Sequence, residues 1–224
     1  MTVATSVSHH IKALPPALKM MQEMGYDAGR CLAGTGLAEA DLQEPGAHQD
    51  FSIEQEFRFH RNLLELTGDP LLGLTLGRAY TVETYGLLGY AFLSAPTLRH
   101  AMTLIRNYGP LSFTLFRIDF LVEGAIAKTR FSPDGEIPED LIIYYVDRDL
   151  SATICGAQAA LQQPLALSAV GLMHPPGARR KAYEQFFSCP VSFDNACSEL
   201  LFDAALLDAP MPMRDAETSA VCQQ

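Results

Sequence analysis

The hydrophobic pattern of this chain changes period once, and that change restricts the fold more than any single motif. Up to Tyr108 the apolar residues recur at helical spacing. From Ser112 the stretch SFTLFRIDFLVEGAIAKTRFS alternates with a period of two. In the helical part, Pro15 and Pro16 open a segment with Ala17, Leu18, Met21 and Met24 on one face and Gly25 as its stop. A short helix is expected from Asp27 to Arg30, and another in GLAEADLQEPG. FSIEQEFRFHRNLLELTGDP begins with Ser52 and Gln55 at capping-box spacing. It carries Ile53, Phe57, Leu63 and Leu64 as its apolar face and ends at Gly68-Asp69-Pro70. LLGLTLGRAY places Gly73 and Gly77 four apart, a spacing that lets another element approach closely. In YGLLGYAFLSAPTLRHAMTLIRNY, Gly86 and Gly89 permit tight packing and Pro96 suits a first helical turn. Leu98, Ala101, Met102, Ile105 and Tyr108 share one face of the helix that follows.

The alternating stretch reads as a β-hairpin broken at Glu123-Gly124. Phe116, Ile118, Phe120 and Val122 take one face and Arg117 and Asp119 the other. On the second strand Ile126, Lys128 and Arg130 share a face. A helix of roughly twenty residues follows, with Pro138 at its start and Pro164 after its end. Then come a strand in PLALSAVGLMHPP, a short helix in GARRKAYEQFFS, and strand, turn at Asp194-Asn195 and strand in CPVSFDNACSELLFDAALLDAP. The expected fold class is α+β, with a helical N-terminal half followed by a mostly antiparallel sheet with packed helices.

Hydrophobic residues make up 48% of the 224 and charged residues 19%, a globular balance. The formal net charge of −10 disfavours phosphate backbones, and Arg179-Arg180-Lys181 is too short to form a basic stripe. Five cysteines at scattered spacing, with no CxxC, point to a reducing compartment. No secretory leader is legible and no apolar run approaches membrane length, so the expected location is the cytoplasm, with no membrane partner.

No GxSxG, P-loop or HExxH is present, and an enzyme is not expected. Glu56 and His60, four apart, could in principle hold a metal, but without a second pair they read as a solvated contact; no metal and no cofactor are expected. His174 reads as a strand end and Cys189 as a packed residue. Arg117 interrupts an apolar strand. Under a covered face its guanidinium needs Asp119 or a ligand anion, and on an open face it is solvated. With Lys128 and Arg130 it could form a cationic wall. Tyr85, Tyr90 and Tyr144 have the apolar bodies and polar tips from which small-ligand pockets are built. These six residues are the ligand-binding candidates.

An ordered set of motifs runs through most of the chain. Thr67-Gly68-Asp69-Pro70 is followed by Gly-Leu-x-Leu-Gly from Gly73 to Gly77, by Tyr85 to Tyr90, and by Ser94 to Leu98 opening a helix. Later come His174 with its prolines, Tyr183, Phe187 and Pro190 to Phe193. This set resembles the N-terminal effector domain, often labelled "arabinose-binding", of AraC-type transcription regulators. The resemblance implies a ligand-sensing and dimerisation domain over residues 1–210 (helical 10–110, α/β 111–210), with 211–224 starting a linker. The implied effector is an amino acid or another small metabolite. DNA would be read only by a C-terminal helix-turn-helix domain absent from this chain, which is expected to end at that domain boundary. The alternatives are a module that only dimerises, for example through an exposed face of Leu141 to Ala160, and a haem or gas sensor using His60 or His100.

Overall fold

The computed structural model describes residues 8–10, 13–42, 50–108, 112–215 and 217–218. His48, Cys222 and half of the expected linker lie outside the described residues. The chain divides into two compact units, one made of residues 1–80 and 138–151 and the other of 81–137 and 152–224.

The first unit is mainly helical. Strands β1 (Ser8–His10) and β2 (Asp50–Ser52) pair antiparallel. Its helices are α1 (Leu14–Glu23), α2 (Ala28–Cys31), α3 (Ile53–Thr67) and α4 (Leu72–Gly77). At α2 the Asp27 carboxylate accepts from the Arg30 N–H at 3.0 Å and caps the turn. At α3 both halves of the expected capping box form. The Gln55 N–H donates to Ser52 Oγ, and the Ser52 N–H donates to Gln55 Oε1 at 2.9 Å. Gly68 closes α3 in the left-handed conformation, at φ 60°.

Helix α7 (Ile142–Leu161) contributes residues 142–151 to this unit and 152–161 to the other. In the first unit it meets α4 backbone to backbone. A Cβ on Gly73 would strike the Tyr144 carbonyl, and one on Gly77 the Arg148 carbonyl and the Ser151 side chain. Ser151 Oγ donates to the Leu74 carbonyl at 2.8 Å across the same seam. The glycine spacing legible in the sequence is therefore a helix-contact motif.

In the second unit, α5 (Leu87–Ser94) and α6 (Leu98–Tyr108) precede a five-stranded sheet. Its strands are β3 (Phe116–Glu123), β4 (Ile126–Pro133), β5 (Leu167–Gly171), β6 (Val191–Ser192) and β7 (Ser198–Asp203), in the order β3-β4-β7-β5-β6. Only β5 and β6 run parallel. The hairpin turns at Gly124-Ala125, with Glu123 opposite Ile126 and Phe116 opposite Pro133. Helix α8 (Arg180–Phe187) lies between β5 and β6 in sequence. The α+β class with a mostly antiparallel sheet is thus observed.

The second unit's main core cluster is apolar and rich in alanine. Ala91, Leu98, Ala101 and Leu104 of the helices cluster with Ala127, Ala157, Ala160 and Phe202. The buried seam of α6 runs Leu98-Ala101-Leu104, so Leu104 belongs to it and Tyr108 sits exposed at the rim. Gly89 of α5 lies against the Val82 carbonyl, leaving no room for a Cβ. The segment after β7 is tied to the α5–α6 turn. Asp215 N–H donates to the Ser94 carbonyl at 2.9 Å, Met211 N–H to Pro96 at 3.1 Å, and Arg99 forms a two-pronged contact with Asp208.

Candidate functional site

Two groups of side chains carry the chain's concentrated polar chemistry. The first lies within the helical unit. Helix α3 presents Glu56 and His60 one turn apart, and α7 presents Tyr144, Tyr145, Arg148 and Asp149. All are buried, together with Asp147 and Tyr80. The Tyr144 hydroxyl and His60 Nδ1 share a hydrogen bond of 2.8 Å. Tyr145 donates to Glu56 Oε1 at 3.2 Å, and His60 Nε2 stands 3.8 Å from the same oxygen. Arg148 donates from Nε to Asp149 at 2.8 Å, approaches Glu56 at 3.8 Å, and lies over the Tyr145 ring at 4.7 Å. The Glu56–His60 pair is therefore a buried element of a network, where the sequence read it as solvated. His60 Nδ1 is engaged by the Tyr144 hydroxyl. His100, on α6, is exposed and bonded to Thr97 Oγ1 at 2.8 Å.

Burial pushes the Tyr80 hydroxyl up to about 12, against a partial lowering by Arg148. Burial likewise raises Tyr144 and Tyr145. It also works against the Arg148 charge, but Asp149 and the surrounding groups outweigh it and hold the guanidinium ionised. Such a network costs a great deal to strip of one member and rewards a fully assembled core.

The second group lies on the face of the sheet that turns away from the alanine-rich core. Arg117, Arg130 and Lys128 share that face, as cross-strand pairing of Arg117 with Ser132, Asp119 with Arg130 and Leu121 with Lys128 requires. Three carboxylates alternate with them. Arg117 meets Asp119 at 3.1 Å, Lys128 meets Glu123 at 2.6 Å, and Arg130 meets Glu199 at 3.0 Å. The Lys128 ammonium holds the Glu123 carboxyl below its usual range, and the Glu199 contact raises the Arg130 guanidinium. The surface is a ladder of opposite charges. Sequence reading found the cations and Asp119; the β7 partner Glu199, distant along the chain, carried no local signal.

The other candidates are not members of that ladder. Tyr85 stacks on Phe113 with ring centres 5.3 Å apart, and Tyr90 is exposed on α5. Tyr144 belongs to the helical unit's buried network. The Leu141–Ala160 helix is largely buried, with Leu141, Tyr145, Val146, Leu150 and Ala160 inaccessible, so it does not offer the exposed apolar face considered for dimerisation. Cys31, Cys189 and Cys197 are free thiols raised by burial, unlike activated nucleophiles.

Residues 25–211 match the family described as the arabinose-binding domain of AraC transcription regulator, N-terminal. The chain belongs to this family. An HTH-type transcriptional regulator of Mycobacterium tuberculosis is 25% identical over 222 residues, covering 96% of this chain and 63% of its own length. The ornithine utilization regulator of Pseudomonas aeruginosa is 27% identical over 160 residues, covering 71% of this chain and 47% of its own. The crystal structure of the transcriptional regulator CdpR from Pseudomonas aeruginosa superposes with a TM-score of 0.71 at 20% identity, over 94% of this chain and 61% of that one. That likeness establishes the shared fold. This AraC-type domain thus spans about half to two thirds of the regulators it resembles. No helix among its described residues is long and apolar enough to cross a membrane.

Proposed function

We propose that the chain is the effector-sensing and dimerising part of an AraC-type transcription regulator, and that it governs a helix-turn-helix region elsewhere in the full-length protein. The family match over residues 25–211 carries this reading. The sensing domain ends near residue 210, and the residues beyond it lead toward the DNA-reading region. Binding of a small metabolite to one arrangement of the dimer better than to another would supply the switching energy.

An amino acid is the favoured effector class. The ornithine utilization regulator among the relatives supports it, and so does the charge pattern of the sheet. Lys128 and Arg130, alternating with Glu123 and Glu199, suit a zwitterion better than a bare anion. The test is a thermal-shift screen against amino acids, sugars, organic acids and fatty acids, because a ligand of the native state raises the melting temperature by mass action. A dose-dependent rise with amino acids, lost in Arg130→Ala, is the expected result. A rise with another class that survives Arg130→Ala would move the site away from the sheet.

A further inference from the structure

Strand β3 forms one edge of the sheet and is hydrogen-bonded to β4 alone among the described strands. Its eight residues pair with β4 in unbroken register, with neither bulge nor proline in β3 to blunt the free side. The hydrogen-bonding phase of that side can be read off. Asp134 N–H donates to the Leu115 carbonyl at 3.0 Å, in line with the 116–133 register, and a two-residue turn closes the hairpin at Glu123 and Ile126. Both place the odd-numbered residues of β3 in hydrogen-bonded pairs with β4. The backbone groups of Ile118, Phe120 and Val122 consequently point outward. Arg117, Leu121 and Val122 are all exposed.

We infer that this edge pairs with the same edge of a second copy. The two β3 strands would run antiparallel about a two-fold axis at Phe120 and make one continuous sheet. Charge selects the register. With Phe120 opposite itself, Arg117 faces the partner's Glu123 at both ends, Ile118 faces the partner's Val122, and Asp119 faces the partner's Leu121. Sliding the strands by two residues in either direction sets acid against acid: Asp119 against the partner's Asp119, or Asp119 against the partner's Glu123. A slip of four in one direction sets Arg117 against the partner's Asp119 but leaves only Phe116 to Phe120 paired within the strand, and in the other it leaves only Leu121 to Glu123. The favoured register aligns the outward backbone groups and covers Val122. This inference rests on the dimeric reading proposed above and gives that dimer a surface.

The test combines sedimentation of the intact chain with two variants. Val122→Pro removes an outward N–H that β4 does not use, so the fold and circular dichroism should be retained while dimer affinity falls at least about tenfold. The double variant Arg117→Cys/Glu123→Cys should form, on mild oxidation, a disulfide-linked dimer joined between positions 117 and 123 on peptide mapping. Those positions are too far apart along one strand to close within a copy. A wild-type dimer that survives Val122→Pro and shows no 117–123 linkage overturns the edge pairing and leaves the dimeric reading standing. A wild-type chain that stays monomeric overturns both.

Discussion

In the helical unit the Arg148 guanidinium meets Glu56 and Asp149 inside a core closed to water. In the sheet unit Arg99, Arg117 and Arg130 meet their carboxylates at the solvent boundary. The same residue types therefore have different energetic standing in the two. A buried pair is held by the cost of leaving either member alone, whereas a surface pair competes with water and salt and contributes little. The helical unit encloses, beside its apolar core, a polar assembly that loses much when one member is removed, whereas the sheet unit's ion pairs lie at its surface and hardly affect its core.

Removing one cation from each side is the most direct way to break this comparison. Arg148→Met should destabilise the chain by about 3–5 kcal/mol in urea unfolding, because it strands buried carboxylates. Arg99→Met should melt indistinguishably from the parent. Equal losses in the two variants would show that burial does not separate the units.

Alkali gives a second contrast. The folded chain holds the Tyr80 proton more tightly than the unfolded chain, so its contribution is complete below about pH 10 and is lost as pH rises toward about 12. The expected loss is about 1.4 kcal/mol per pH unit for that tyrosine, and Tyr144 and Tyr145 add in the same direction. Tyrosinate absorbance followed beside circular dichroism should show these groups ionising only as the helices melt. Early ionisation of all eight tyrosines would place the network in contact with water.

The mildest perturbation targets the helix seam. Gly77→Ala puts a methyl where the Arg148 carbonyl and Ser151 stand and should cost about 1–3 kcal/mol. A neutral result would mean that α4 and α7 can separate without loss.

Much of the architecture was legible because it has a local period or a local partner. The hairpin and its break appear in the alternation of residues 112–131, the α3 capping box in Ser52 and Gln55, and the α4–α7 contact in Gly73 and Gly77. Arg117 takes Asp119, one of the two anions the sequence offered it. The buried network was misread for a physical reason. Glu56 and His60 are polar residues in a helix, and periodicity assigns such residues to solvent unless their partners are known. Those partners lie on α7, 84 and 89 positions along the chain from His60 and Glu56. The β1–β2 pair escaped because three residues are too few to establish a period. Glu199 reaches Arg130 only through sheet order, which alternation does not specify.

The helical unit is assembled from two separate stretches of chain, and this sets a schedule for its biosynthesis. Residues 1–80 leave the ribosome carrying Glu56, His60 and the bare Gly73–Gly77 ridge, while the stretch that covers them begins at Pro138. At about 5–20 residues per second the intervening residues take roughly 3–12 s to make. During that interval the N-terminal helices lack the segment that completes their core, which leaves their core-facing groups exposed. Codon choice across 81–137 would then tune how long that exposure lasts.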